Sequence, residues 1–584
     1  METDGAVARP PRRSWPWVLL VLAAGAAAVV GLFAYDAYRL QGAADALVAH
    51  AGAARVALSA QDIASLRVEV AEVEEAARTF EQATHGPHWW VAARVPWVSD
   101  QVVPLRVAGE AVGAVAEDAL RPLAELEDLE ALAGPQFDGG RIDPYVLEPY
   151  RPALTQASAA LTEQGEALES VDLSGTVEPL REPFEDLGDQ VETLRDLVDG
   201  ARVTAELLPT MLGADGERRY VVVVQNNAEP RATGGLPGAF LELTVDDGRF
   251  ALGDYKTAQE LEVRDGVAPL TADEERIYTY RMAFYPHDAN LTPEFPRTAE
   301  LVSAFWTDET GQAVDGVLSI DPIALGWMIE GASPIDVAGV EITSANLASL
   351  MLNGAYFLFD DPDAQDVFFL RAAGALFSSI ASGQTASLGG VERAIDARRF
   401  LVWSARDDEQ EILEGTSASG TFLGDADVLG VFLNDGSGSK IGYYVETELT
   451  VTDRLCTDGT LEGQEVELTL THTFDGDVDG LPAYVTGLPQ FVPAGEFHVN
   501  VVVYPAAGTE AVAVVRDGDN TEVASDTHDG RAMSQKRVVL EPGARTTLTY
   551  TLEATDDARV PPRIVLTPGP REVDPRRVTE AAGC

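Results

Sequence analysis

The sequence predicts an α+β multidomain protein with an N-terminal transmembrane helix, a helical stalk or bundle, an α/β core and a C-terminal all-β sandwich. Three observations support this prediction: an uncharged run near the N-terminus, heptad spacing in the first third, and a change to period-two alternation after about residue 420. The predicted segments are a cytoplasmic tail (1–14), a transmembrane helix (15–35), the helical region (36–212), the core (213–415), the sandwich (416–556) and an extended C-terminal tail (557–584).

The N-terminal apolar run covers residues 17–35 without a charged side chain, which is long enough for a helix to cross a bilayer. Arg9, Arg12 and Arg13 precede it, and the positive-inside rule then predicts a cytoplasmic N-terminus. A cleavable signal peptide is the alternative, but the apolar core of such peptides spans only about 7–15 residues. The sequence therefore predicts a signal-anchor, single-pass protein of the cell membrane whose bulk is extracytoplasmic.

The chain is strongly acidic, with a formal net charge of −54. A surface of this charge repels nucleic acid and anionic lipid headgroups at long range. We therefore expect no nucleic-acid partner, and any anionic ligand requires a local cationic site.

Residues 36–212 are rich in Ala, Leu and Glu and predict long helices. Apolar residues from Leu180 to Leu212 alternate steps of four and three, which is the spacing of a heptad seam. Earlier helices are expected at 36–84, 104–133 and 145–170. The region should form an antiparallel bundle or stalk.

A tryptophan-rich segment, 85–100, follows the first of these helices and contains Trp89, Trp90 and Trp97. A straight helix of this length would carry the segment roughly 70 Å from the bilayer, at about 1.5 Å per residue. We therefore expect these indoles to pack onto the next domain or a partner protein rather than a membrane.

The core region alternates strands with helices, and the region after it contains period-two runs separated by Gly, Asp and Pro. Core strands are expected at 219–224, 239–245, 249–255 and 315–320. Core helices are expected at 297–306, 322–330, 344–352, 364–382 and 389–401.

The two cysteines, Cys456 and Cys584, both lie in the C-terminal third. Two thiols in an oxidising compartment favour a disulfide between them. Two unpaired thiols are the alternative.

The most informative segment is YVVVVQNNAEPRATGGLPGAF (220–240), in which a strand ends in a polar, glycine-rich loop. Arg231 could hold a phosphate in a bidentate manner, assisted by backbone N–H groups around Gly234 and Gly235. In the alternative, Arg231 pairs with a carboxylate and the asparagines satisfy loop backbone groups. The candidate ligand-binding residues here are Asn226, Asn227, Glu229, Arg231, Thr233, Gly234 and Gly235.

A second polar loop carries His287, Asp288 and Asn290. A histidine beside an aspartate suits a general base or a metal ligand, whereas turn formation before a helix explains the same residues structurally. Asp288 and Asn290 are added to the candidate ligand-binding residues.

Four stretches resemble the domain-of-unknown-function family DUF4012, which occurs in single-pass envelope proteins of high-GC Gram-positive bacteria. They are QNNAEPRATGGLPGAF (225–240), YPHDANLTPEFP (285–296), VDGVLSIDPIAL (314–325) and SKIGYY (439–444). The resemblance implies a cell-envelope role but no particular reaction.

The order of strand, arginine loop, hairpin, VDGVLSIDPIALGWMIEGASPIDV and the helix FFLRAAGALFSSIAS is also similar to the LytR-CpsA-Psr family. This resemblance implies a core of that fold. Members of the family transfer glycopolymers from a polyprenyl-pyrophosphate carrier, and they use arginines and aspartate-bound magnesium to do so. By position, Arg231 and Arg371 match two of those arginines. The family's Arg-Asp pair is replaced by LGDYKTAQEL, in which Asp254 and Lys256 occupy the corresponding region.

The resemblances together imply a membrane-anchored envelope protein that binds or transfers a polyprenyl-linked glycopolymer through the arginine and glycine loop. Any enzymatic activity would be a LytR-CpsA-Psr-like glycopolymer phosphotransferase, with Mg²⁺ as its cofactor. The alternative is a non-catalytic envelope scaffold or polysaccharide-assembly partner, which the replaced Arg-Asp pair and the tryptophan segment favour. The expected partners are the membrane, a polyprenyl-linked or cell-wall glycopolymer, and other envelope proteins.

Overall fold

The computed structural model describes residues 15–59, 63–126, 137–138, 140–381, 387–457, 459–487, 492–555, 558, 560 and 563–584. The chain forms two compact units. The helical unit comprises Met1–Leu132 and Leu147–Glu206, and the sheet unit comprises Ala133–Val146 and Leu207–Cys584. The predicted cytoplasmic tail, 1–14, lies outside the described residues.

Long helices build the helical unit, and several heptad positions of its last helix are buried. The helices are α1 (Trp15–Ser59), α2 (Ile63–Thr84), α3 (Pro87–Ala92), α4 (Ser99–Ala114), α5 (Arg121–Ala124), α6 (Arg151–Glu169) and α7 (Glu178–Met211), whose last turns belong to the sheet unit. A π-helical turn, Val115–Leu120, joins α4 to α5. Phe184, Val191, Val198 and Ala205 are buried along α7, as their spacing predicts.

The prediction of a transmembrane helix at 15–35 is wrong. Within the described part of the chain, no helix combines the length and the apolar composition that crossing a bilayer requires. The signal-anchor, single-pass and cell-membrane predictions depended on that helix and are corrected with it. The predicted segment is the first part of the 45-residue helix α1, and Phe33 near its end packs edge-on against Trp89 of α3 with ring centroids 5.0 Å apart. The next turn carries the buried Asp36, which accepts a hydrogen bond of 3.1 Å from Trp89 Nε1. At this end of the run Phe33 and Asp36 therefore contact α3, whereas Val30, Leu32 and Tyr35 are exposed.

The sheet unit begins with a seven-stranded mixed sheet whose order is β1-β2-β5-β4-β3-β6-β9. Its strands are β1 (Phe137–Asp138), β2 (Arg141–Ile142), β3 (Arg218–Arg231), β4 (Gly234–Asp246), β5 (Arg249–Thr257), β6 (Gly316–Ile320) and β9 (Phe400–Ser404). Strands β3, β4 and β5 are antiparallel neighbours, and β6 runs parallel to β3. The four predicted core strands are therefore present.

Helices and one small hairpin surround this sheet. The hairpin consists of β7 (Ile335–Val337) and β8 (Val340–Ile342). The helices are α8 (Ala272–Ile277), α9 (Arg281–Phe284), α10 (Phe295–Thr310), α11 (Pro322–Met328), α12 (Leu347–Ser349), α13 (Ala355–Leu358), α14 (Pro362–Ala381), α15 (Leu388–Asp396) and α16 (Asp407–Glu414). The helix expected at 389–401 ends at Asp396, because Arg398 adopts a positive φ of 53° and the chain then continues as β9.

Two further sheets form the predicted β-sandwich, in the orders β16-β17-β13-β10-β19 and β15-β14-β18-β12-β11-β20. Their strands are β10 (Leu429–Asp435), β11 (Val445–Leu455), β12 (Leu461–His472), β13 (Phe497–Tyr504), β14 (Thr509–Arg516), β15 (Asp519–Asn520), β16 (Ala524–His528), β17 (Arg531–Leu540), β18 (Arg545–Ala554), β19 (Ile564–Leu566) and β20 (Arg576–Ala581), and α17 (Ala483–Thr486) lies between β12 and β13. Val501 of the first sheet and Leu468 of the second belong to one buried cluster.

The C-terminal segment is part of the sandwich rather than an extended tail. Strand β19 pairs with β10 in one sheet, and β20 pairs with β11 in the other. Cys456, directly after β11, forms a disulfide with Cys584. Both pairings and the disulfide therefore hold the C-terminus against the sandwich.

Asp321 joins the core strands to the helices beside them. Its buried carboxylate follows β6 and caps α11 by accepting hydrogen bonds from the backbone N–H groups of Ile323 (3.0 Å) and Ala324 (2.8 Å). It also accepts from Asn227 Nδ2 (2.9 Å) and from the buried Arg399 Nη1 (2.6 Å). One side chain thus connects β3, α11 and the segment that leads into β9.

We expect Asp321→Ala to destabilise the protein by about 3–5 kcal/mol, because it leaves the Arg399 guanidinium buried without its carboxylate. Asp321→Asn should cost less, since it keeps an acceptor for the helix cap. Chemical denaturation measures the difference, with Asp336→Ala at an exposed position of β7 as the control. Equal losses for Asp321→Ala and this control would contradict the assignment.

Candidate ligand-binding cavity

The predicted glycine-rich loop is an irregular continuation of the β3–β4 hairpin. Arg231 pairs with Gly234 at its tip, and the register shifts between Asn226 and Pro230. The two glycines permit this close pairing. Gly234 has a φ of +139°, and a Cβ on Gly235 would lie 2.2 Å from the backbone carbon of Asn226. The hairpin therefore places Arg231 at a fixed position beyond the regular sheet.

The Arg231 guanidinium lies between two loops of the sheet unit. Its Nη2 contacts Asp288 Oδ1 at 3.3 Å, and its Nη1 donates to the backbone carbonyls of Pro230 (3.1 Å) and Asp435 (3.4 Å). The other Asp288 oxygen accepts from Arg281 Nε at 2.7 Å. Two guanidiniums thus share one buried carboxylate.

A second buried ion pair lies beside the first. Lys440 Nζ donates to the Glu229 carboxylate, and both side chains are buried. Burial acts to raise the pKa of Glu229, but the attraction of Lys440 outweighs it and holds the pKa below its usual value. The ammonium also lies 5.4 Å from the ring centroids of Tyr356 and Tyr484, which stack on each other.

Asp435 and His287 complete the charged cluster. Burial raises the pKa of the Asp435 carboxyl to about 6, against the opposing effect of Arg231. Asp435 accepts hydrogen bonds from the backbone N–H groups of Ser437 (3.1 Å) and Gly438 (2.8 Å). Burial lowers the pKa of His287 despite the neighbouring Asp288, so its imidazole is neutral at pH 7.

A cavity of about 590 Å³ opens beside this cluster. The charged residues Glu229, Arg231, Arg281 and Lys440 line it, and so do His287, Glu262 and Asp366. Its apolar wall comes from β4 and from helices α11 to α14, including Leu236, Leu241, Leu325, Leu347, Met351, Phe369 and Leu376. The cavity is therefore apolar along its helical side and charged at the loops.

Several polar atoms around the hairpin are buried and have no hydrogen-bond partner among the described residues. They are Arg231 Nε, Asn227 Oδ1, Thr233 Oγ1 and Asn290 Oδ1. Buried polar atoms are almost always paired with protein, water or ligand atoms. Arg231 lines the cavity, and its Nε is a buried donor without a partner among the described residues.

Comparison with known families gives one match. Residues 215–356 match the model of a family described as a protein of unknown function (DUF4012). This segment is a DUF4012 domain. No curated protein and no solved structure matches the chain. The likeness to the LytR-CpsA-Psr family stays a prediction, since none of these comparisons tests it.

The DUF4012 segment brings most of the predicted ligand-binding residues together, although several of them serve the fold. Asn226 lines the cavity and donates to the Tyr356 hydroxyl at 3.1 Å. Asn227 is fully buried against Asp321, and Asn290 donates to the Gly235 carbonyl at 2.9 Å, which fixes the hairpin. Arg371 is the exception, because it lies exposed on α14 and outside the cavity lining.

Sequence reasoning missed several charged residues of the cluster. Lys440 and Asp435 come from the sandwich region, beyond the residues that match the DUF4012 model. Lys440 is one of three lysines in the chain and lies in the SKIGYY stretch, and these two facts were signals for it. Arg281 carried no motif signal, since only the folded loop brings it to Asp288.

The residues at the cavity do not fit Mg²⁺. This ion requires several oxygen ligands in octahedral geometry, but the Asp288 oxygens face Arg231 and Arg281, and Glu229 faces Lys440. No group of three or more metal-ligating side chains occurs among the residues that the structure describes. Asp254 is exposed on β5, where Lys256 lies 3.6 Å from Glu309. We therefore derive no step through magnesium.

We expect Lys440→Met to destabilise the protein by about 3–5 kcal/mol, because Glu229 would remain buried without a counter-ion. The double variant Glu229→Gln/Lys440→Met should recover most of this loss, since it removes both charges. Chemical denaturation of the single and double variants measures the coupling. Lys256→Met, whose partner Glu309 is exposed, should cost less than about 1 kcal/mol and serves as the control. Equal losses for the single and double variants would refute a buried ion pair.

Proposed function

We propose that the sheet unit binds an amphipathic anionic ligand in the DUF4012 cavity. A phosphate-type group is held at Arg231 and Arg281, and the ligand's apolar chain lies against the helical wall. A polyprenyl-linked glycopolymer carrier has this chemistry, in agreement with the envelope role that the resemblance implies. The observation that carries the proposal is a cavity whose apolar wall faces two arginines that share one carboxylate.

The size and lining of the cavity support a ligand with an apolar part. Ligand pockets typically measure about 300–1,000 Å³ and combine apolar walls with a few polar groups. The cavity, at about 590 Å³, falls within this range. Its helical wall includes Leu347 and Leu376, which are almost completely buried.

At the charged end of the cavity, individual hydrogen-bond donors rather than a net positive charge would recognise an anion. Arg231, Arg281 and Lys440 balance Glu229, Asp288 and Asp435 when all six groups are ionised. An anion gains instead from Arg281, whose side chain is half-exposed, and from the Arg231 guanidinium that lines the cavity. We propose binding and not transfer, because the carboxylates of the cluster are already engaged with cations or backbone donors.

A non-catalytic scaffold is the second candidate, and an observation in the helical unit supports it. The side chains of Trp90 and Trp97 are 55% and 77% exposed, and Val91 beside them is also exposed. Large exposed aromatic side chains are typical of protein interfaces. A scaffold role predicts that Trp90→Ser/Trp97→Ser abolishes cellular function and leaves the sheet unit's ligand binding intact.

Binding of dodecyl phosphate to the full chain, measured by calorimetry, tests the main proposal. We expect dodecyl phosphate to bind more tightly than dodecanol or inorganic phosphate, because each of these supplies only half of the recognition. Arg231→Gln should weaken binding about ten- to a hundredfold, as expected for loss of a charge-assisted hydrogen bond.

Arg371→Gln is the matched control, because this arginine is exposed and lies outside the cavity. Arg281→Gln provides a second, half-exposed test in case Arg231→Gln is poorly folded. Equal affinity of wild-type protein and both cavity variants for dodecyl phosphate would refute the proposed anion site.

Binding should also depend on pH through Asp435. Its pKa of about 6 means that the carboxyl is ionised at pH 7.5 and protonated at pH 5. Protonation removes a negative charge that interacts with Arg231, so an anion should bind more tightly at the lower pH. Dodecyl sulfate, whose charge is constant over this range, should bind roughly three- to tenfold more tightly at pH 5. In Asp435→Asn the transition near pH 6 should disappear, and its persistence would exclude Asp435 as the cause.

A further inference from the structure

We infer that the cavity selects a ligand segment of about fifteen carbons, so that chain length beyond this point contributes nothing to affinity. This inference rests on the proposed function and specifies the chain that the cavity accepts. It follows from the cavity's volume and from the residues that close its helical side.

The volume sets the number of atoms that the ligand can bury. A volume of about 590 Å³ holds roughly 20 non-hydrogen atoms at about 30 Å³ each, the share of a water molecule in the liquid. A phosphate group accounts for about five of these atoms, which leaves room for about fifteen carbons.

The helical side of the cavity is closed by a packed core. Leu347, Ala372 and Leu376 line the cavity and also belong to a buried cluster with Val337 and Ile342 of the β7–β8 hairpin. Protein cores are close-packed, so a chain cannot extend through this cluster without displacing it. Carbons beyond the available space therefore remain in water.

A chain-length series makes this limit measurable. Burial of one methylene group stabilises binding enough to tighten it about fourfold. Affinity should therefore rise steeply with each carbon while the cavity fills and then become constant. A surface that merely adsorbs apolar chains has no such limit.

The experiment measures the binding of n-alkyl phosphates with 8 to 20 carbons to the full chain, by calorimetry below the concentrations at which they form micelles. We expect the dissociation constant to fall about fourfold per carbon up to roughly fifteen carbons and then to stay level. A continuous fall through 20 carbons, or a minimum at 8, would overturn the chain-length inference while leaving the proposed binding function intact. Failure of every chain length to bind would overturn the proposed function itself.

Ala373→Leu tests the limit from the protein side. Ala373 is half-buried on α14 and lines the cavity, and the substitution adds three carbon atoms to the wall. The plateau should therefore begin about three carbons earlier in the series. Ala364→Leu, on the same helix but outside the cavity lining, should leave the plateau unchanged. Identical plateaus for Ala373→Leu and wild type would show that this wall does not limit the chain.

Discussion

The Asp321 carboxylate accepts four hydrogen bonds, and the arrangement of the cavity walls depends on these contacts. It holds the start of α11, the Asn227 side chain at the end of β3 and the buried Arg399 in one arrangement. Helix α11 supplies part of the apolar wall, and β3 carries Arg231. Because a buried charge must be fully paired to be tolerated, these three elements cannot shift independently. The apolar wall and the guanidinium therefore keep a fixed distance from each other.

The regular part of the core could be predicted from the sequence. Its buried strands, such as Tyr220–Val224, are continuous apolar runs, and such runs are typical of strands that helices cover. The sandwich could be predicted for the related reason that its strands alternate in period two. The C-terminal segment was different, because β19 has only three residues and β20 is polar, so their strand structure depends on pairing with β10 and β11. The apolar run at 17–35 illustrates the opposite error, since its composition predicted a membrane-spanning helix, which none of the described helices provides.

Some residues of the candidate site could likewise be predicted from the sequence, and others could not. Arg231 was predictable, because a strand that ends in a glycine-rich polar loop presents its side chains at the edge of a sheet. Arg371 was predicted from its position in a helix that is similar to one of the LytR-CpsA-Psr family. A position in the sequence of a helix does not determine which helix face points to the cavity. The neighbouring residues Ala372 and Ala373 line the cavity instead. Lys440 reaches the site across a distance of more than 200 residues in the chain. Such contacts are set by tertiary packing, which a single sequence does not reveal.

The sharing of the cluster between two sheets has a physical consequence for recognition. Glu229 and Arg231 belong to the core sheet, whereas Asp435 precedes Lys440 on the segment that leaves β10. The Lys440–Glu229 pair therefore crosses the junction, whereas Arg231 and Arg281 pair with Asp288 inside the core region, and the cluster is neutral when all six groups are ionised. A neutral cluster of fixed dipoles beside an apolar wall favours a ligand with a small charged group and a long apolar part. The charged group alone, or the apolar part alone, would not gain enough to compensate for the desolvation of the site and the ligand. A highly charged ligand would instead encounter the acidic exterior of the chain, whose formal net charge is −54. An amphipathic ligand with a small anionic group is therefore the class of ligand that we propose for the cavity.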